Sequence, residues 1–292
     1  MNVRKVLFLL LLVIVWNVVI IRAEWISRTQ YYSQPAKTTL NLTWFECGLL
    51  YKYGIDNFMG VLDDFNFEGV VIQPFMLQAN STTLNATAQT GICEGFHSLC
   101  NRVDAYAEKR KDFVKFLFIG GSSYFDQTLV EQYVSRGYVM CIDDGTTNLR
   151  ALRGVLTYLR NQGAETLLVH GSHQSYRTVI EEGLVDYSSP CFYPFRPNFN
   201  WTRYVNEFEL MCSWRGDKCK FLPGIQVFGG TPVQWVFPNV TQLEEMTDFL
   251  YNLNPFGLVW FLPHSGQSMR GELFDGFLDH PEVWDYIDTS SS

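Results

Sequence analysis

The chain has 292 residues, 47% hydrophobic and 16% aromatic, with a formal net charge of −8. That length suits one large domain with a sizeable core. The acidic balance argues against nucleic acid or an anionic membrane as partner.

Arg4 and Lys5 precede an apolar run from Val6 to Ile21, and small Ala23 closes the segment. This is the pattern of a secretory signal peptide over residues 1–23, which predicts a secreted, extracellular protein. An uncleaved anchor is the alternative, but the run is shorter than the ~18–20 apolar residues a span needs, and Asn17 interrupts it. Loss of the leader removes Arg4, Lys5 and Arg22, taking the formal charge from −8 to −11. Residues 24–292 then read as a single domain.

Five Asn-x-Ser/Thr sequons, at Asn41, Asn80, Asn85, Asn200 and Asn239, predict N-glycosylation and surface loops at those positions. Seven cysteines in an oxidising compartment predict disulfides with one thiol left over. Cys93 with Cys100 and Cys212 with Cys219 enclose loops of equal length, and local pairing is the simplest expectation. Cys47, Cys141 and Cys191 lie in predicted strands, where buried thiols are expected. No CxxC or His-rich spacing points to a metal, and no cofactor is expected.

Eight apolar runs read as strands in chain order: 42–48, 69–76, 113–121, 137–143, 166–171, 185–193, 221–229 and 257–262. Helical periodicity fills several gaps. Leu149, Leu152, Val155, Leu156 and Leu159 share one face, with Asn148 placed to cap the start and Gly163 to close the end. Residues 127–135 and 242–253 repeat the pattern. Eight strands alternating with helices over about 250 residues predict an α/β fold, a (β/α)8 TIM barrel. A doubly wound sheet is the alternative, but no GxGxxG or Walker loop supports a nucleotide-binding version. Loop insertions bearing the short cysteine pairs are expected around 78–107 and 194–220.

In a parallel barrel the strand ends converge on one face. The candidates there are Glu46, Gln73, the 120–123 turn, Asp143, Asp144, His170, His173, Tyr193, Gln226, Trp260 and His264. Acids, amides and aromatics with almost no Lys or Arg suit a sugar, whose ring faces stack while its hydroxyls hydrogen-bond. Other readings stay open. Asp143 and Asp144 with Gly145 also read as a turn. Trp235 and Trp260 are either sugar platforms or ordinary core and rim aromatics. His170 and His173 read as satisfied polar residues rather than a base.

Four segments carry a resemblance. KFLFIGGSS (115–123), VDYSSPCFYPF (185–195), KFLPGIQVFGG (220–230) and GLVWFLPHS (257–265) resemble the third, sixth, seventh and eighth strands of glycoside hydrolase family 18, the chitinases and chitinase-like lectins. In that register Phe118 replaces a Ser of the third-strand motif. Tyr193 matches the family's catalytic Tyr, with Cys191 and Pro194 in place of its Met and Asp. Trp260 or Phe261 stands where the family has a Trp at the cavity floor. The family's fourth strand carries Asp-x-x-Asp-x-Asp-x-Glu. Laid on Val139, Ile142, Asp144 and Thr146, it keeps only Asp144, and the glutamate that protonates the leaving oxygen is Thr146. A register shifted by one keeps Asp143 instead and puts Gly145 at the glutamate position. No glutamate lies between Glu131 and Glu165, and a threonine hydroxyl is no acid near neutral pH.

The resemblance therefore implies a chitinase-like glycan-binding barrel, with N-acetylglucosamine-containing glycan as the expected partner and Asp144 and Tyr193 as vestigial catalytic residues. Glu46, Gln73, Asp143, Gln226 and Trp260 are the expected binding residues beside them. An active glycosidase using Glu46 with Asp143 or Asp144 is the competing class. A structural or adhesive glycoprotein is the third, since Arg215-Gly216-Asp217 matches the integrin-binding tripeptide, a three-residue match that chance also supplies.

Overall fold

The computed structural model describes residues 40–46, 50–77, 89–121, 124–125, 127–143, 147–191, 200–216, 219–226, 229–231, 234–236 and 239–261. All of these fall in one compact unit, Thr38–Ser292. The leader, Cys47, Asn80, Asn85, Ser122, Ser123, Asp144, Thr146, Tyr193, Asp217 and His264 lie outside the described residues.

Strands and helices alternate along the chain. β1 (Leu40–Glu46) leads to α1 (Leu50–Asp64), β2 (Gly69–Gln73) to α2 (Phe96–Ala107), and β3 (Val114–Gly121) to α3 (Gln127–Val134). β4 (Val139–Asp143), α4 (Leu149–Asn161), β5 (Thr166–His170), α5 (Gln174–Glu181), β6 (Tyr187–Pro190) and α6 (Trp201–Ser213) follow. β7 comes in two segments, Lys220–Phe221 and Gly224–Gln226, before α7 (Val240–Asn252) and β8 (Gly257–Phe261). All eight predicted strands form, and α3, α4 and α7 cover the predicted helices.

These strands make a parallel sheet whose neighbours run in chain order, with β1 also pairing β8. β7 closes the ring. Its first segment pairs β6 through Lys220 N to Asp186 O and Leu222 N to Ser188 O, both 2.8 Å. Its second segment pairs β8, and Cys191 bridges to Gly224. The break falls at Pro223, which has no N–H to give to a ladder. The protein is thus a (β/α)8 barrel.

Residue alternation sorts each strand between barrel interior and helix layer. Phe45 packs edge-on against Phe58 of α1, with ring centroids 4.8 Å apart, so Leu42 and Trp44 face inward. Phe116 of β3 meets Tyr187 of β6 across the lower interior at 5.4 Å. Lys220 Nζ donates to the Tyr187 hydroxyl at 3.0 Å, and that hydroxyl donates to Glu165 at 3.3 Å, filling the amino end of the barrel. At the β1–β8 contact the backbones come so close that a Cβ on Gly257 would overlap the Leu40 carbonyl.

α4 follows its sequence closely. Leu152, Val155, Leu156 and Leu159 are buried, and the Asn148 side chain accepts from the backbone N–H of Arg150 and Ala151. Burying such leucine and valine side chains contributes roughly 1.5–3 kcal/mol each.

Two expectations need correction. The stretches read as insertions contain regular barrel helices. Phe96, Leu99, Cys100 and Val103 form the buried face of α2, and Tyr204, Phe208 and Met211 that of α6. Cys100 and Cys212 are themselves helical residues, within α2 and α6 rather than in loops. The expected local disulfides do not form among the described residues, where Cys100, Cys212 and Cys219 are free thiols. Cys100 points from α2 toward the Tyr133 and Tyr138 hydroxyls, while the Cys212 thiol faces the Leu253 carbonyl at 3.7 Å. Burial pushes the Cys100 thiol up to about 11 and Cys219 up to about 12, so both stay protonated. Cys141 is a free, buried thiol as well.

Candidate functional site at the carboxyl ends of the strands

The upper interior of the barrel is built from inward side chains of β1, β2, β3, β4 and β8, with Cys191 just past β6. Trp44 of β1 lies 5.7 Å from Phe118 of β3 and 5.2 Å from Phe261 of β8, between ring centroids. Its indole N–H donates to Gln73 Oε1 of β2 at 3.0 Å. Cys141 of β4 and Cys191, just past β6, face the same space. Glycine is required at 224 in β7, because a Cβ there would stand 2.6 Å from the Phe261 ring and 2.7 Å from Cys191 Sγ.

Trp44, Gln73, Phe118 and Cys141 are buried, whereas Phe261, Cys191 and Asp143 are half-buried above them. A molecule arriving from solvent therefore meets Phe261 and Asp143 first. The described strand ends contribute no lysine or arginine to this mouth.

β3 ends irregularly here. Its pairing with β4 slips between Phe118 and Gly120, which leaves Gly121 opposite Asp143. Gly120 has φ 121°, and the chain folds back so that Tyr124–Phe125 pairs antiparallel with Gly120 and Gly121. Bulges of this kind are common at barrel rims, where they re-aim the chain.

Of the expected binding residues, Asp143 and Gln73 reach this mouth, although Gln73 Oε1 already holds the Trp44 indole. Glu46 ends β1 opposite Gln73, and Gln226 ends β7 opposite Phe261; the backbone alone is described for these two. Trp260 does not belong to the site. It faces the helix layer, fully buried, with its indole N–H 3.4 Å from Asn41 Oδ1. Strand alternation gives the inward position to Phe261 instead. Trp44 was missed by the sequence reading, and the available signal was its place two residues before the end of β1. Trp235 lies in a two-stranded hairpin, Gly229–Thr231 with Gln234–Val236, opposite Gly230.

The histidines are structural. His170 faces outward, 1% exposed, between rings of Tyr176 and Trp214 at 5.7 and 5.8 Å. Its Nδ1 lies 2.8 Å from the Gly171 carbonyl, which only accepts, so Nδ1 carries the proton and Nε2 accepts from Ser188 Oγ at 2.7 Å. Burial pulls its pKa down to about 4 against the opposing Gly171 hydrogen bond. His173 caps α5 through the backbone N–H of Ser175.

The sequon at Asn41 is corrected as well. Asn41 sits within β1, 3% exposed, its backbone N–H bonded to Glu68 at 2.6 Å. A glycan there has no path to solvent. Arg215 of the Arg-Gly-Asp tripeptide is also committed, donating to the Asn254 carbonyl at 2.7 Å. A shallow groove on α6, lined by Asn200, Thr202, Arg203, Asn206, Glu207 and Leu210, lies outside the barrel. Among the described residues no group of histidine, cysteine and acid side chains is arranged to hold a metal ion.

No protein-family model and no curated protein matches the chain. Solved structures do match it. The spore cortex-lytic enzyme SleL of Bacillus megaterium QM B1551 aligns over 83% of this chain and 75% of its own, with TM-score 0.54 and 8% identity. The tryptophan synthase alpha chain of Legionella pneumophila subsp. pneumophila aligns over 87% of this chain and 90% of its own, with TM-score 0.52 and 11% identity. The same subunit from Legionella pneumophila strain Paris gives TM-score 0.53 at 10% identity, covering 86% and 88%. At such identities the likeness is one of fold.

Proposed function

We propose that the protein is a secreted barrel that binds a neutral, amino-sugar-containing glycan at the carboxyl-end mouth without efficient hydrolysis. The observation that carries this reading is the half-open platform of Phe261 over Trp44, with Asp143 ending β4 on the same rim. An aromatic face stacks a sugar ring, and a carboxylate accepts from hydroxyl or N-acetyl N–H groups. The described strand ends bring no cation to the mouth, which suits a neutral ligand better than a phosphorylated one. The leader-like segment 1–23 supports secretion, and Thr146 at the acid position supports the absence of turnover. The fold likeness to a cortex-lytic enzyme is a likeness of barrels and does not bear on activity.

Calorimetry with chito-oligosaccharides, and a turnover assay on the same sample, test the reading. Binding without turnover is expected, and Phe261→Ala should weaken it about tenfold through loss of stacking worth about 1–1.5 kcal/mol. Turnover abolished by Glu46→Gln or Asp144→Asn would establish the hydrolase instead. That alternative has its own support, because Glu46 and Asp143 end β1 and β4 on the same rim. Binding to no glycan would leave a structural or adhesive barrel.

A further inference from the structure

Three of the five sequons fall on described residues, and their surroundings differ sharply. Asn41 and Thr43 are buried within β1. Asn200 and Asn239 are exposed, and each is the residue that caps a helix, α6 and α7 respectively. The Asn200 side chain accepts from the Arg203 N–H at 3.0 Å, and that of Asn239 from the Gln242 N–H at 2.9 Å. Both caps use Oδ1. Neither Nδ2 makes a hydrogen bond among the described residues, and Thr202 and Thr241 of the two sequons are exposed at the second helical position.

We propose that Asn200 and Asn239 are N-glycosylated and that Asn41 is not. This rests on the secretory part of the function proposed above. The chemistry is compatible with the fold already present. Nδ2 attacks the anomeric carbon of a lipid-pyrophosphate-linked oligosaccharide, the C1–O bond breaks, lipid pyrophosphate leaves, and Nδ2 gives up one proton. The product is still an amide, so Oδ1 goes on accepting from the helix N–H and the cap survives. Modification at Asn41 would instead require a sugar between β1 and the helix layer, where Trp260 packs on the same side chain. Helices in this barrel start at the end where the strands finish, so both glycans stand on the side of the molecule that carries the mouth.

The full chain with its own leader, expressed in a glycosylating eukaryotic host, tests this. Tryptic peptides are analysed after peptide-N-glycosidase, which leaves aspartate wherever a glycan was attached. Conversion is expected at 200 and 239 and absent at 41. Thr202→Ala and Thr241→Ala destroy each sequon while keeping its cap, and each should shift the secreted protein by one glycan on a gel. A secreted chain left unmodified at 200 and 239, or modified at 41, overturns the proposal while leaving secretion intact. A chain retained in the cell with residues 1–23 still attached and no glycan overturns the secretory reading along with it.

Discussion

Acid should destabilise this barrel through His170. In the fold its pKa is about 4, against an ordinary 6.5. Between those values the unfolded chain binds a proton that the folded chain does not, so stability falls as pH drops. The contribution is fully present above pH 6.5 and is lost as pH falls toward 4. Two and a half pH units correspond to about 3 kcal/mol, of which about 2 is already lost at pH 5. The structural cause is that a charged ring would face Tyr176 and Trp214 in the helix layer, with Nε2 turned from acceptor to donor against Ser188. Urea unfolding followed by tryptophan fluorescence at pH 7 and pH 5 measures the step. His170→Gln supplies a neutral amide able to accept from Ser188, at a cost of about 1–2 kcal/mol at pH 7 for the lost ring contacts. Wild type should lose about 2 kcal/mol more than this variant between the two pH values. Equal losses in the two proteins would refute the assignment.

Asp104 should behave differently. Burial raises its carboxyl pKa, but hydrogen bonds from Lys115 Nζ at 2.9 Å and Arg136 at 2.9 and 2.6 Å outweigh it and hold the net value low. Its contribution is present above the ordinary carboxylate value and is lost as pH falls through the depressed folded value, below the His170 window. Asp104→Asn removes the charge from a pair of partly buried cations and should cost about 2–3 kcal/mol at pH 7; an unchanged urea midpoint would sink the idea. Gly257→Ala should cost about 3 kcal/mol or more, since the new methyl collides with the Leu40 backbone where β8 pairs β1. A thermal midpoint within a degree of wild type would contradict that contact.

The sequence by itself determined the eight strands and their order. A strand buried on both faces must be apolar throughout, so its position is visible without knowing its partners. It also determined α4, whose apolar stripe and Asn148 cap are both local features. Tertiary structure decided what local pattern leaves degenerate. Trp260 and Phe261 are adjacent aromatics in one apolar run, and only the pairing of β8 with β1 and β7 shows that Phe261 enters the barrel while Trp260 meets Asn41. Asn41, Asn200 and Asn239 carry the same tripeptide signal, yet one is a strand interior and two are helix caps. The cysteine pairs have equal spacing, but spacing says nothing of direction, and the α2 and α6 faces turn those thiols toward Tyr133, Tyr138 and Leu253. Gln73 is a strand-end binding candidate in the sequence, and its role as the partner of Trp44 follows from a contact 29 residues apart in the chain. Sequence marks where a strand runs, whereas the neighbouring strands decide which of its residues face the mouth.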